Sequence, residues 1–469
     1  MTRTDAVFGI RAKLVESYVE RYAVDAKFRE ALESDHHIVV YGSSKQGKTS
    51  LRQKHLPPTR CVVVRCGPRM TTVGLYQSIL RQAGAQIRTA ESYSTETSGN
   101  VKVSAGFVAK VPLLGSTTLS GEGGISKGAQ QELTTEFIAH DHGDAQSVAE
   151  LLEQLRFDKW IVLENYHYLP KETQQAIAFD LKTFHEVGVR FLILGIWREA
   201  NLLVTHNGDL QDRLIEIPVE PWLPTDLDSV AALGCSLLNI AISPEVLSVF
   251  KDSSFGNIGL FQELLKGFCL RCEVRGSGAY RLLDDATALN ETIKEKLETQ
   301  TSSLVKSLQG IAAKSRVRRG ENVQPLLLPY YLVMVLLELT VEKLQDGVER
   351  TQLLELLRSV HHRADKDTIR MSDVTNLLVK LPIYQMDMHP PLLYYDGNSR
   401  RMRIVDGRVY FVLKNADRAQ LREEIPVPET EMDAGATSSS DQHELSDEAC
   451  QQDVLDFDSS QDSNDPVVE

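Results

Sequence analysis

Directly after the apolar run from His37 to Val40, the chain reads YGSSKQGKTS from Tyr41 to Ser50. Gly42, Gly47, Lys48 and Thr49 occupy the fixed positions of the pattern G-x-x-x-x-G-K-[ST]. Ser43, Ser44, Lys45 and Gln46 fill the variable positions, and Ser50 opens a helix-compatible stretch, SLRQKHL. Glycines at these places let consecutive backbone N–H groups turn inward around phosphate oxygens, and a following helix adds its positive N-terminal end. The whole stretch is therefore expected to cradle a nucleotide phosphate chain. Lys48 would neutralise charge on the β- and γ-phosphates, and the Thr49 hydroxyl would hold Mg²⁺.

A second chemical feature is the carboxylate of Glu164, which closes the run WIVLE. At the end of a strand beside the loop, it would hold Mg²⁺ through water. The next residue is Asn165. An amide orients water but takes no proton, so Asn165 would not serve as a base.

These residues need a sheet to position them. Apolar runs suited to strands begin at His37, Arg60, Trp160, Arg190 and Leu214. Helical segments such as TVGLYQSILRQAG and DAQSVAELLEQL lie between them. That alternation predicts an α/β domain: a parallel five-stranded sheet with helices on both faces. Lys48 and Glu164 are 116 positions apart, too many for the elements between them. The excess falls in a Gly-, Ser- and Thr-rich insertion at about 89–141, where VKVSAGFVAKVPLL predicts a β-hairpin. A protein partner, a neighbouring subunit or nucleic acid would meet it there, and a mobile surface elaboration is the competing reading.

Beyond Trp222 the pattern turns helical, and a charged helical stretch from Asn290 leads to the last unit. There PYYLVMVLLELTVEKL, ERTQLLELLRSVHH and MSDVTNLLVKL read as three helices. PLLYYDG and RMRIVDGRVYFVL read as two β runs, which together give the order of a winged helix. From Glu423 onward fifteen acidic residues stand with no Lys or Arg. Removing them from the net charge of −14 leaves +1 for the rest of the 469-residue chain. The folded body is thus close to neutral, and the acidic tail, poor in apolar residues, is expected to be disordered. It would solubilise the chain, compete for a basic surface or dock a protein partner through DVLDFD.

Composition narrows the class. A hydrophobic share of 42% with 25% charged residues fits a soluble globular protein. Cys269 and Cys272 form a C-x-x-C with no second pair at zinc spacing, so buried thiols are expected. The start, MTRTDAVFGIRAKLVES, lacks a long apolar core. The most apolar window, from Pro325, is about fifteen residues long and broken by Pro329. No membrane span is expected, and a cytoplasmic location follows.

The run WIVLENYHYLP resembles a Walker B strand, and the loop, strands and helical segment together resemble P-loop ATPases of the AAA+ and STAND group. The likeness covers about residues 15–415 and includes the closing pattern LLYYDGNSRRMRIVDGRVYFVL. That pattern is similar to the end of origin-recognition and archaeal-type STAND ATPases, where a winged helix follows the lid. The resemblance implies ATP as ligand and Mg²⁺ as its cation. It implies that Arg198 senses the γ-phosphate and that Arg213 reaches across a subunit boundary as a finger within a homo-oligomer. Gly259, in GNIGLFQELL, falls where origin-recognition ATPases carry a second sensor arginine. Val19 and Tyr22 match the segment bordering adenine. The implied division is an ATPase domain at 1–222, a lid at 223–285, a helical linker at 286–322, a winged helix at 323–422 and the tail at 423–469.

DNA contact would come from Arg400, Arg401 and Arg403 on the wing, from Lys314, Arg316, Arg318 and Arg319 in the linker, and from Thr375 and Asn376 on the third helix. Three readings stay open. One is an ATP-dependent switch that hydrolyses slowly, in a setting such as phage defence or mobile-element control. Another is a DNA-binding AAA+ protein of origin-recognition or transposition-regulator type. The third is a nucleotide-stabilised scaffold that does not turn over.

Overall fold

The computed structural model describes residues 2–89, 107–112, 135–140, 144–196, 203–204, 206–315, 326–362, 364–386, 388, 391–397 and 399–428. Arg198, the linker arginines 316, 318 and 319, and the tail beyond 428 lie outside these residues.

All five expected strands form. They are β1 (His37–Tyr41), β2 (Cys61–Arg65), β6 (Trp160–Glu164), β7 (Phe191–Gly195) and β8 (Leu214–Pro218). They pair in parallel in the order β2-β6-β7-β1-β8. Side chains alternate between the two faces of a strand, and here both faces are covered. Val39, Ile161, Leu163 and Ile193 enter one core. Ile38, Val40, Val162 and Leu192 enter the other, together with Leu51 and Leu56 from the loop helix side. Glu164 falls on the same face of β6 as Trp160 and Val162, so its carboxylate meets the helix that follows the loop.

The insertion departs from the expected hairpin. β3 (Gln86–Thr89), β4 (Phe107–Pro112) and β5 (Thr135–His140) form a three-stranded antiparallel sheet in the order β3-β4-β5. Its first strand begins before the Gly- and Ser-rich stretch, and its last, TEFIAH, carries too short an alternation to stand out.

The segment expected to be a lid, called the lid below, consists of helices Pro224–Leu238, Pro244–Ser254 and Ile258–Arg271, with a short parallel pair, β9 (Ile240–Ile242) and β10 (Arg281–Leu283). The N-terminal segment docks on it: the Thr4 hydroxyl donates to Val274 O, and Phe8 packs so closely that a Cβ on Gly234 would lie 2.2 Å from its ring. The long helix Ala286–Ala312, capped by Asp285, carries the chain onward.

The C-terminal unit holds helices Leu328–Glu338, Val341–Asp346, Arg350–Val360 and Met371–Val379. Its antiparallel sheet pairs β11 (Val348–Glu349), β13 (Arg401–Ile404) and β12 (Leu393–Asp396), with β13 in the middle. PYYLVMVLLELTVEKL is two helices, divided where Thr340 caps the second. The second β run is also shorter than expected, because RVYFVL is the helix Arg408–Asn415. The Asp406 carboxylate accepts from the Arg408 N–H at its start, and Val409, Val412 and Leu413 are buried at helical spacing. One continuous apolar core joins lid, linker helix and C-terminal unit. No helix among the described residues is long and apolar enough to cross a membrane.

Cys269 and Cys272 are buried and unbridged, and burial pushes both thiols up. His37, at the start of β1, is fully buried. Its Nδ1 accepts from the Phe191 N–H and its Nε2 bonds Leu181 O, an arrangement that needs the neutral ring. Burial lowers its pKa from 6.5 to about 4. An unfolded chain takes up that proton near 6.5 and the folded one near 4, so stability falls as the pH drops through this window. Wild type is expected to lose about 3 kcal/mol from this group between pH 7 and pH 4. Urea midpoints compared with those of His37→Gln at both pH values would read it, and an equal acid loss in the two proteins would refute it.

Candidate functional site

The loop between β1 and the helix Lys48–His55 uses backbone conformations that its glycines supply: φ is 153° at Gly42 and 90° at Gly47. Gly42 also has no room for a side chain, since a Cβ would lie 2.6 Å from Val219 Cγ2. The Lys48 ammonium donates to Gly42 O at 2.6 Å and Ser43 O at 2.7 Å. Ser43 donates from its N–H and hydroxyl to the Glu220 carboxylate at 2.9 and 3.0 Å.

The lid and the loop hold each other. Gln46 is buried; its O accepts from Trp222 Nε1 at 3.2 Å and its Oε1 from the Ile258 N–H at 3.4 Å. The Trp222 ring carries the Arg21 guanidinium 3.8 Å above its centre. Gly259, one residue into the lid helix, touches the loop: a Cβ there would lie 2.6 Å from Lys45 Cβ and 2.8 Å from Lys45 O. This position therefore has no space for an arginine. Lys45 reaches Glu263 of the same helix at 3.5 Å, and Lys296 of the long helix bonds the other Glu263 oxygen. Burial lowers the Lys45 pKa against the pull of Glu263.

A cavity of about 450 Å³ lies between loop, sheet end and lid. Ser44 to Ser50, Glu164 and Asn165 all line it, so the loop and the Walker B candidates converge. Asn165 sits in the left-handed region at φ 60°, which asparagine tolerates. Val19 lines the cavity, but Tyr22 does not: its side chain is 89% exposed. Its neighbour Tyr18 lines the cavity instead, with its hydroxyl on Asp25 at 2.5 Å. Arg213 ends the turn before β8, beside the His37 end of β1. Four residue steps of strand, roughly 13 Å, separate that end from the loop, so the fold does not bring Arg213 to the cavity of its own chain.

Sequence reasoning missed four contributors. Arg52 and Arg65 reach Glu164, Trp222 fixes the loop, and the N-terminal stretch from Gly9 closes one side through the Gly9 N–H to Gln262 Oε1 bond at 3.0 Å. Arg52 was legible in principle, standing three residues after Thr49 and so on the same helix face. The others join through segments distant in sequence.

Thr49 and Glu164 are the donors expected for Mg²⁺. The Glu164 carboxylate is ion-paired with Arg52 at 2.9 Å and lies 3.8 Å from Arg65 Nε. A divalent ion on Glu164 would stand beside two guanidinium groups, so the residues in this arrangement do not fit a metal.

In the C-terminal unit, Arg400 and Arg403 are exposed, whereas Arg401 is held by Glu349 and by Asp346 O and Gly347 O. Thr375 accepts from Arg350 and donates to Met371 O, and Asn376 is exposed.

No protein-family model and no curated protein matches the chain. Among solved structures it is similar to the Walker-type ATPase PABY2304 of Pyrococcus abyssi, at 14% identity and TM-score 0.46 over 87% of this chain and 99% of that one. The Aeropyrum pernix ORC1 protein in complex with DNA follows at 13% and 0.38, over 88% and 94%. The Thermotoga maritima RuvB Holliday junction branch migration motor is at 12% and 0.35, over 87% and 92%. The glycine-rich loop after β1, the parallel order β2-β6-β7-β1-β8 and an acidic strand end next to the loop give this chain a P-loop type α/β fold.

Proposed function

We propose that the chain is an ATP-dependent molecular switch of the AAA+/STAND type that binds ATP between loop and lid and hydrolyses it slowly. The observation that carries this is the direct grip of the lid on the loop, Ile258 to Gln46 and Gly259 against Lys45. In this reading the nucleotide is held best with the lid on the loop, so ligand and lid position are coupled. The lid shares one core with the C-terminal unit, so that unit follows the lid. In this reading the C-terminal unit is a winged helix presented to a partner, and the domain limits are those expected from the sequence. Asn165 supports slow turnover, because it takes no proton. Arg213 would act on the cavity of a neighbouring copy, which makes a homo-oligomer the active form. Control of a mobile element or of phage infection is the setting proposed from the resemblance.

A second reading, duplex DNA as partner, is favoured by exposed Arg400, Arg403 and Asn376. With Arg401 engaged elsewhere, contact would be to phosphates, salt-sensitive and weakly specific.

Phosphate release by the purified chain tests the proposal. Turnover on the order of 10⁻³ s⁻¹ is expected, rising with protein concentration, abolished in Lys48→Ala and reduced at least about 10-fold in Arg213→Ala. Stimulation by duplex DNA would move the conclusion to the second reading. ATP binding with no release at any concentration would leave a non-hydrolysing scaffold.

A further inference from the structure

The ion pair on Glu164 has the makings of a charge device in the site. Arg52 and Glu164 are 7% and 8% exposed, and they meet at 2.9 Å. Arg52 lies one helical turn after Thr49, and Glu164 lies on the face of β6 that the loop helix covers, so backbone geometry aims the two at each other. Arg65, opposite Glu164 in the β2–β6 register, adds a second guanidinium. Glu164 is thus compensated twice.

Arg52 has capacity left over. Its Nε is buried and has no hydrogen-bond partner, while Nη2 serves Glu164. A buried guanidinium N–H left unmatched is costly, and Arg52 lines the cavity beside Lys48 and Thr49. Arg11, Lys45, Lys48, Arg52 and Arg65 line this cavity against one carboxylate, Glu164. With Lys45 also facing Glu263, the lining carries a formal excess of three to four positive charges, of the order of the roughly four negative charges of a free nucleoside triphosphate near neutral pH.

We propose that Arg52 is the resident cation of this nucleotide site, so that the triphosphate binds without a divalent metal. The inference rests on the nucleotide-binding reading above. Nη2 keeps Glu164 neutralised while Nε donates to a phosphate oxygen. A guanidinium suits this double task because its donors are fixed in one plane and it stays protonated. A divalent ion bound directly by Glu164 would instead have to displace Arg52 and strand it in a buried place.

The test is titration of the full chain with a fluorescent N-methylanthraniloyl ATP in EDTA and, separately, in excess Mg²⁺. Wild-type affinity in EDTA is expected within fivefold of that in Mg²⁺. A larger loss in EDTA overturns the metal-free site and leaves nucleotide binding intact. Absence of binding in both conditions overturns the nucleotide reading and this proposal with it. Arg52→Gln is expected to lose at least tenfold in EDTA, and Arg52→Lys, which keeps the charge without the fork, to lose less. Circular dichroism melts certify that the variants are folded. A folded Arg52→Gln that binds in EDTA as wild type does also overturns the assignment.

Discussion

Gly259→Ala is expected to weaken ATP binding by about 5- to 150-fold while leaving the sheet intact. The added methyl would lie 2.6 Å from Lys45 Cβ and 2.8 Å from Lys45 O. Relief cannot come from a flexible side-chain tip, since both atoms are fixed by the loop backbone. Either the lid helix backs away or the loop deforms. Overpacking of this kind costs about 1–3 kcal/mol, which converts to the stated range in affinity. Backing away would also lengthen the Ile258 to Gln46 bond, already 3.4 Å. Titration with the fluorescent nucleotide reads the effect. Binding within twofold of wild type would mean that lid contact and nucleotide affinity are independent, and the switch would lose its coupling element. The same geometry explains why a sensor arginine is absent: nothing larger than hydrogen fits at this point while the lid rests on the loop.

Trp222→Ala is expected to destabilise the chain by about 3–5 kcal/mol and to lower nucleotide affinity with it. Trp222 is 7% exposed, stacks under Arg21, donates to Gln46 O and borders Gly47. Removing the ring leaves a cavity between sheet, loop and lid, and it frees the Arg21 guanidinium from its only ring contact among the described residues. Trp222→Phe separates the two roles. It keeps most of the apolar packing and loses the hydrogen bond, so a stability cost of about 1 kcal/mol is expected. Urea unfolding of both variants alongside ATP titration gives the comparison. Equal behaviour of Phe and Ala would show that the indole N–H, not the packed ring, holds the loop.

The five sheet strands and the phosphate loop were legible in the sequence because each signal is local. Strands buried on both faces must be continuously apolar, as at Ile38 to Val40 and Trp160 to Leu163, and the loop needs glycine where φ is positive. Local signals failed where packing overrides propensity. RVYFVL is rich in β-formers yet is a helix, because burying Val409, Val412 and Leu413 suits helical spacing and the Asp406 carboxylate accepts from the Arg408 N–H at its start. Tyr22 was placed near the base by its segment, and the fold turns it to solvent while Tyr18 lines the cavity.

By itself, then, the sequence determined where the glycine-rich loop stands and which strand ends in the nearby carboxylate. Those follow from residue type and spacing along a few neighbouring positions. Tertiary structure alone decided what Glu164 is paired with, which residue of the lid touches the loop, and that Arg213 stands away from the cavity of its own chain. Those depend on which distant segments are brought together. A guanidinium and a carboxylate 112 positions apart meet only because β6 lies beside β2 and the loop helix lies across the same face.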